Sequence, residues 1–196
     1  MTNGLTNSIR PNPNGDMPVV DATAYIDPTA QIIGNVKIGA NVYVGPFAVI
    51  RADETDDSGK VHAIEIGDEC NIQDGVIIHA LAGTPVTVGM RTAMAHGCII
   101  HGPCTIGDGC FVGFRAVVFK SVVGSGSFIG ANATIQGVEL ADNSLAGPAE
   151  AVLLNEHAAK LAGKASQAEH VFVENVVNEN LGLTKGYLKN SSEPRQ

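Results

Sequence analysis

Aliphatic residues recur along most of the chain at a step of six, which matches neither the two-residue alternation of a half-buried strand nor the 3.6-residue period of an amphipathic helix. They stand at Val20, Ile26, Ile32, Ile38, Val44 and Ile50, then at Ile66, Ile72 and Ile78, then at Val88, Met94, Ile100, Ile106, Val112 and Val118. After Val118 the phase shortens by one residue and resumes at Val123, Ile129 and Ile135, and glycine often follows the anchor, as in Ile38-Gly39, Ile66-Gly67 and Val112-Gly113. The fourth residue after the anchor is usually small or mildly apolar: Val36, Val42, Ala48, Cys70, Val76, Ala82, Thr92, Cys98, Cys104, Cys110, Ala116 and Val122. Two inward positions per six residues predict a short strand and a corner. Three such units would close one coil of a triangular parallel β-helix, its coils stacked at the ~4.8 Å spacing of paired strands.

The pattern divides the chain into an N-terminal extended segment (1–19), the β-helix (20–147) and a C-terminal helical segment with a tail (148–196). Beyond about Pro148 the six-step fails and Ala, Glu, Leu, Lys and Asn dominate, which predicts a helix covering the open end or the flank of the stack. Two insertions interrupt the step, ten extra residues between Ile50 and Ile66 and four between Ile78 and Val88. Insertions into a solenoid land on its surface and often carry function.

Composition narrows the reading. With 23 glycines, no tryptophan and few aromatics in 196 residues, the core must consist of small and branched side chains in thin repeated layers. A formal net charge of −8 gives no electrostatic footprint for nucleic acid or an anionic membrane. The amino terminus has no basic start or long apolar run, so a cytoplasmic protein is expected. The four cysteines all fall at the small inward position, which predicts free buried thiols and neither disulfides nor Cys-ligated zinc.

The register also places the histidines. Successive anchors are successive sides of the triangle, so every third one shares a face. Arg51, His79 and His101, each one residue after its anchor, then form an outward column on one face, bringing His79 and His101 ~5 Å apart at the backbone. His96 follows Met94 by two and belongs to the neighbouring side. If all three are metal ligands, a threefold homotrimer follows, His79 and His101 of one subunit facing His96 of the next. The bland alternative is three ordinary surface histidines. Three imidazoles with one open position form a catalytic set, with zinc the default and iron(II) or cobalt(II) also suited to imidazole. His62, His157 and His170 have no such support and read as solvated or packing residues.

The segments RAD at 51–53, NIQDGVIIHA at 71–80, MAHGCIIHGP at 94–103 and FVGFRAVVFKSVVG at 111–124 resemble the gamma-class carbonic anhydrases. The resemblance runs from about Val20 to Gly147, with a weaker echo in GLTKGY at 182–187. It implies a left-handed β-helix and reversible hydration of carbon dioxide to bicarbonate by a metal-bound hydroxide at a trimer-interface site. Metal ligation falls to His79, His96 and His101. Gln73 and Asn71 would orient the hydroxide or bicarbonate, Glu54 would lie near the substrate, and Asn180 would be contributed by the terminal helix. Arg51 and Asp53 would pair across subunits.

One departure stands out: where an archaeal relative carries a long acidic loop with a proton-shuttling glutamate, this chain has Ala82 in a short loop. The expanded first loop (52–65) offers Glu54, Asp56, Asp57 and His62 instead. Two competing readings remain, a weakly active or inactive bicarbonate-binding or scaffold homologue, and a hexapeptide acyltransferase or thioesterase.

Overall fold

The computed structural model describes residues 8–192, and it is a parallel β-solenoid with three sheets and a terminal helix. One sheet has eight strands, from Ile9–Arg10 to Ala151–Val152; the other two have seven each, from Val19–Val20 to Glu139–Leu140 and from Tyr25–Ile26 to Leu145–Ala146. The coil stack therefore extends past both edges of the 20–147 span that periodicity predicts. Ile9 and Val152 pair with the anchors Ile32 and Ile135, but the spacing from Ile9 to Val20 is not a multiple of six and the step shortens again between Ile135 and Leu140.

The anchors share faces as the register predicts: Ile50, Ile78, Ile100, Val118 and Ile135 are successive partners in one sheet. All five are fully buried. Most of the small inward positions are also buried, with two corrections. Ala82 lies in an exposed turn, because the four-residue insertion hands its slot to Val86. Val122 is 41% exposed, because the shortened coil passes the slot to Ser121, whose hydroxyl donates to the Phe119 carbonyl at 2.9 Å.

The glycines after the anchors allow adjacent coils to touch backbone to backbone. A Cβ on Gly67 would lie 2.7 Å from the Met90 amide nitrogen, and one on Gly113 would lie 2.7 Å from that of Ala131. The four cysteines are free and buried, and burial pushes the Cys98 thiol up to about 12, so it stays protonated and inert. Cys98→Ser should cost about 1–3 kcal/mol in urea unfolding, since its hydroxyl would enter an apolar layer, whereas Cys98→Ala should cost less.

Two helical pieces close the stack. The short helix Asn155–Ala158 and the turn after it plug the far end with Ala158 and Leu161, which join the main core. The long helix Gln167–Ser192 covers the flank, lying along the sheet that begins at Tyr25–Ile26. It runs back toward the first coils, from Phe172 against Phe111 at 5.3 Å to Tyr187 against Tyr25 at 4.6 Å. Those fifteen residues rise about 22 Å, close to the roughly 19 Å of the four strand spacings they cover. Helix and coil stack thus stay in step. The buried stripe includes Val173 and Val177 but also the polar Asn180 and Thr184.

Candidate metal centre

His79 and His101 end the paired strands Ile77–His79 and Ile99–His101 and stand opposite each other in register. Nδ1 of His79 lies 3.1 Å from Nε2 of His101, the rings meeting edge-on at 82°. Nδ1 of His101 faces the Gly102 carbonyl oxygen at 3.3 Å. Nε2 of His79 has Glu54 Oε1 at 3.4 Å and Asp53 Oδ1 at 3.6 Å. Those contacts are within ion-pair range but do not meet hydrogen-bond geometry, so among the described residues the buried Nε2 has no hydrogen-bond partner.

These neighbours favour a proton on His79 Nε2 and on His101 Nδ1. The two facing nitrogens then both present lone pairs, which repel unless a cation lies between them. Two nitrogens bound to one tetrahedral ion at about 2.0–2.1 Å stand about 3.3 Å apart, so the 3.1 Å spacing suits a shared metal.

His79 points out of the coil yet is buried, because the expanded loop folds over it. Glu54 spans the gap, its Oε2 accepting from the Ala82 amide at 3.1 Å. Burial first, and the Arg51 charge second, hold the His79 imidazole below its ordinary pKa of 6.5. The sign follows: above about pH 6.5 the ring is neutral folded or unfolded. Below it, the unfolded chain takes up a proton that the folded chain resists, so stability falls with pH. The urea midpoint should therefore fall as the pH is lowered from 7.5 to 5.5.

His96 lies elsewhere, in the corner after the strand Ala93–Met94 of the helix-covered sheet. It is half-exposed, with Nδ1 3.5 Å from Asp74 Oδ2 and its ring parallel to Phe114 at 5.8 Å. Among the described residues no three His, Cys, Asp or Glu side chains of one chain converge to hold a metal. One chain therefore carries two of the three imidazoles together and displays the third at a corner.

Asn71, Gln73 and His96 line one cleft of about 200 Å³ with Phe111, Phe114 and Phe172. Gln73 Nε2 donates to Asn71 Oδ1 at 2.7 Å and to Asn180 Oδ1 at 2.8 Å, while Asn180 Nδ2 donates to the Val176 carbonyl at 2.8 Å. The terminal helix thus fixes Gln73 through a buried amide. Asn71 Nδ2 is buried without a hydrogen-bond partner among the described residues.

Within the chain, Arg51 Nη1 donates to both Asp53 oxygens at 2.8 Å. Residues two apart on an extended strand project to the same side, which brings them together without a partner. Of the other loop groups, His62 bonds Asp56 at 3.0 Å. The Ser58 hydroxyl, with the Lys60 amide and His62, holds the Asp56 carboxyl far below the usual range. His157 bonds Glu150 at 2.7 Å and His170 the Gly126 carbonyl at 3.1 Å, both packing roles. Sequence reasoning passed over Asp74, Phe114 and Phe119; the available signal was their place at the same hexad offsets as the histidines, one coil away.

Comparison with known proteins agrees with this geometry. Residues 17–52 match the family model "Bacterial transferase hexapeptide (six repeats)", and 103–123 and 121–146 match "Hexapeptide repeat of succinyl-transferase". A carbonic anhydrase from Methanosarcina thermophila is 36% identical, the alignment covering 92% of this chain and 78% of the relative. The chain belongs to the gamma-class carbonic anhydrases.

Membership in this class implies a metal cofactor. The carboxysome assembly protein CcmM of a Nostoc species is 35% identical over 86% of this chain, which spans only 31% of that protein's length. Among solved structures, a hexapeptide transferase family protein from Anaplasma phagocytophilum has a TM-score of 0.65 at 26% identity, covering 91% of this chain and 97% of that one. No helix among the described residues is long and apolar enough to cross a membrane.

Proposed function

We propose that the protein catalyses reversible hydration of carbon dioxide to bicarbonate at a centre shared between subunits of a homotrimer. His79 and His101 of one subunit and His96 of the next would hold the ion, with zinc the first choice and iron(II) or cobalt(II) compatible with the same donors. The observation that carries this is the 3.1 Å approach of two imidazole nitrogens whose companions already face oxygens. When bound, the ion supplies a water acidic enough to ionise near neutral pH.

The chain's own groups do the rest. Gln73, fixed by Asn71 and Asn180, orients the substrate oxygens, and the unpartnered Asn71 Nδ2 offers them a further donor. Glu54 carries the proton outward, since it reaches from His79 Nε2 to the partly exposed rim, while Asp56 is held too acidic to accept a proton at neutral pH. Stopped-flow hydration assays on zinc-loaded and on anaerobically prepared iron(II) protein test the reading. Turnover no faster than buffer in every metal form would overturn it. That result would favour a bicarbonate-binding or assembly role, to which the CcmM likeness lends support. Turnover of an acyl-CoA would favour a transferase.

A further inference from the structure

The imidazoles proposed as ligands are supported from one direction along the stack. One coil beyond the coil that carries His96 and His101, two phenylalanines occupy the equivalent positions. Phe119 is the strand partner of His101 and meets its ring edge-on, at 5.2 Å and 85°. Phe114 lies parallel to His96, at 5.8 Å and 9°. Toward the earlier coils the neighbours are polar: Asp74 beside His96, and Arg51, Asp53 and Glu54 beside His79. His96 therefore lies between Asp74 and Phe114, and the stacked His79–His101 pair lies between the polar groups Arg51, Asp53 and Glu54 and the Phe119 ring.

The Phe119 ring is itself held in place. Lys120 sits 5.2 Å from its centroid, and Lys120 adopts a left-handed φ of 49°, unusual for a residue with a side chain. The Lys120 amide donates to the His101 carbonyl at 3.3 Å, so one short segment grips both the backbone and the ring of His101. Phe114 is 49% exposed, an unfavourable place for a phenyl ring unless it stands where a neighbouring subunit approaches.

We infer that Phe114 and Phe119 are positioning residues, an aromatic floor that fixes the rotamers of His96 and His101 and closes that side of the metal centre to water. The inference rests on the three-histidine reading. Edge-to-face and offset parallel contacts restrict ring rotation without consuming a nitrogen, which leaves the lone pairs available to metal. Loss of groups that orient a metal ligand typically weakens metal affinity by about 10–100-fold.

The test measures zinc affinity by chelator competition, and assembly by sedimentation, for the wild type, Phe119→Ala, Phe119→Leu, Phe114→Ala and Phe114→Leu. Leucine keeps apolar bulk and protects assembly while removing the ring. Zinc affinity about tenfold weaker in both leucine variants, with assembly unchanged and the cobalt(II) visible spectrum altered, is the expected result. Phe119→Tyr, which keeps the ring, should restore wild-type affinity. Leucine variants that bind zinc within twofold of wild type would overturn the inference. A wild type that binds no stoichiometric zinc would instead sink the three-histidine reading.

Discussion

Chains carrying His96→Ala and chains carrying His101→Ala, each inactive alone, should regain about a quarter of wild-type activity when co-expressed in equal amounts. In the proposed threefold assembly each centre would draw His79 and His101 from one subunit and His96 from the next. A centre survives when the first chain is the His96→Ala variant and the second the His101→Ala variant, a chance of about one in four for random assembly. Each variant alone should fall by more than about 100-fold, because losing a ligand costs more than losing a group that merely orients one. The physical basis is the geometry of one protomer, where His79 and His101 meet at 3.1 Å while His96 stands at a different corner. Mixed trimers isolated with two affinity tags, in which about one centre in three should survive, decide the matter when assayed by stopped flow. If verified mixed trimers are as inactive as the parents, the centre does not lie between subunits.

The second large effect concerns Gln73. Both of its amide hydrogens are committed, to Asn71 and to Asn180, so its oxygen is held in one direction before substrate arrives. Preorganised polar groups of this kind typically account for about 10²–10³ in rate. Gln73→Ala should therefore lower kcat/KM about 100-fold while zinc affinity stays within about threefold. Asn180→Ala removes only the helix's hold on Gln73, and a smaller loss of about tenfold is expected. A Gln73→Ala enzyme at wild-type rate would exclude Gln73 from the reaction. Parallel chelator competition keeps a loss of metal from being mistaken for a loss of catalysis.

The six-residue step alone determined the solenoid, the identity of its core layers and the column in which Arg51, His79 and His101 follow one another. It could do so because the coil geometry is strictly periodic: one residue of spacing translates into one direction in space. The same arithmetic separated His96 from the other two. Where the period broke, the forecast broke with it, as at Ala82 and Val122, whose inward slots passed to Val86 and Ser121.

What lies off the lattice belonged to the tertiary structure. The loop that buries His79 beneath Glu54, and the intrachain pairing of Arg51 with Asp53, depend on how an aperiodic insertion folds back on the coil. Asn180 reaches Gln73 across 107 residues only because the helix's rise keeps pace with the stacking of coils. Its one local trace in the sequence is an amide in a helical stripe shared with Val173, Val177 and Thr184. Local periodicity fixes which residues face inward; long-range packing decides which outward-facing residues meet.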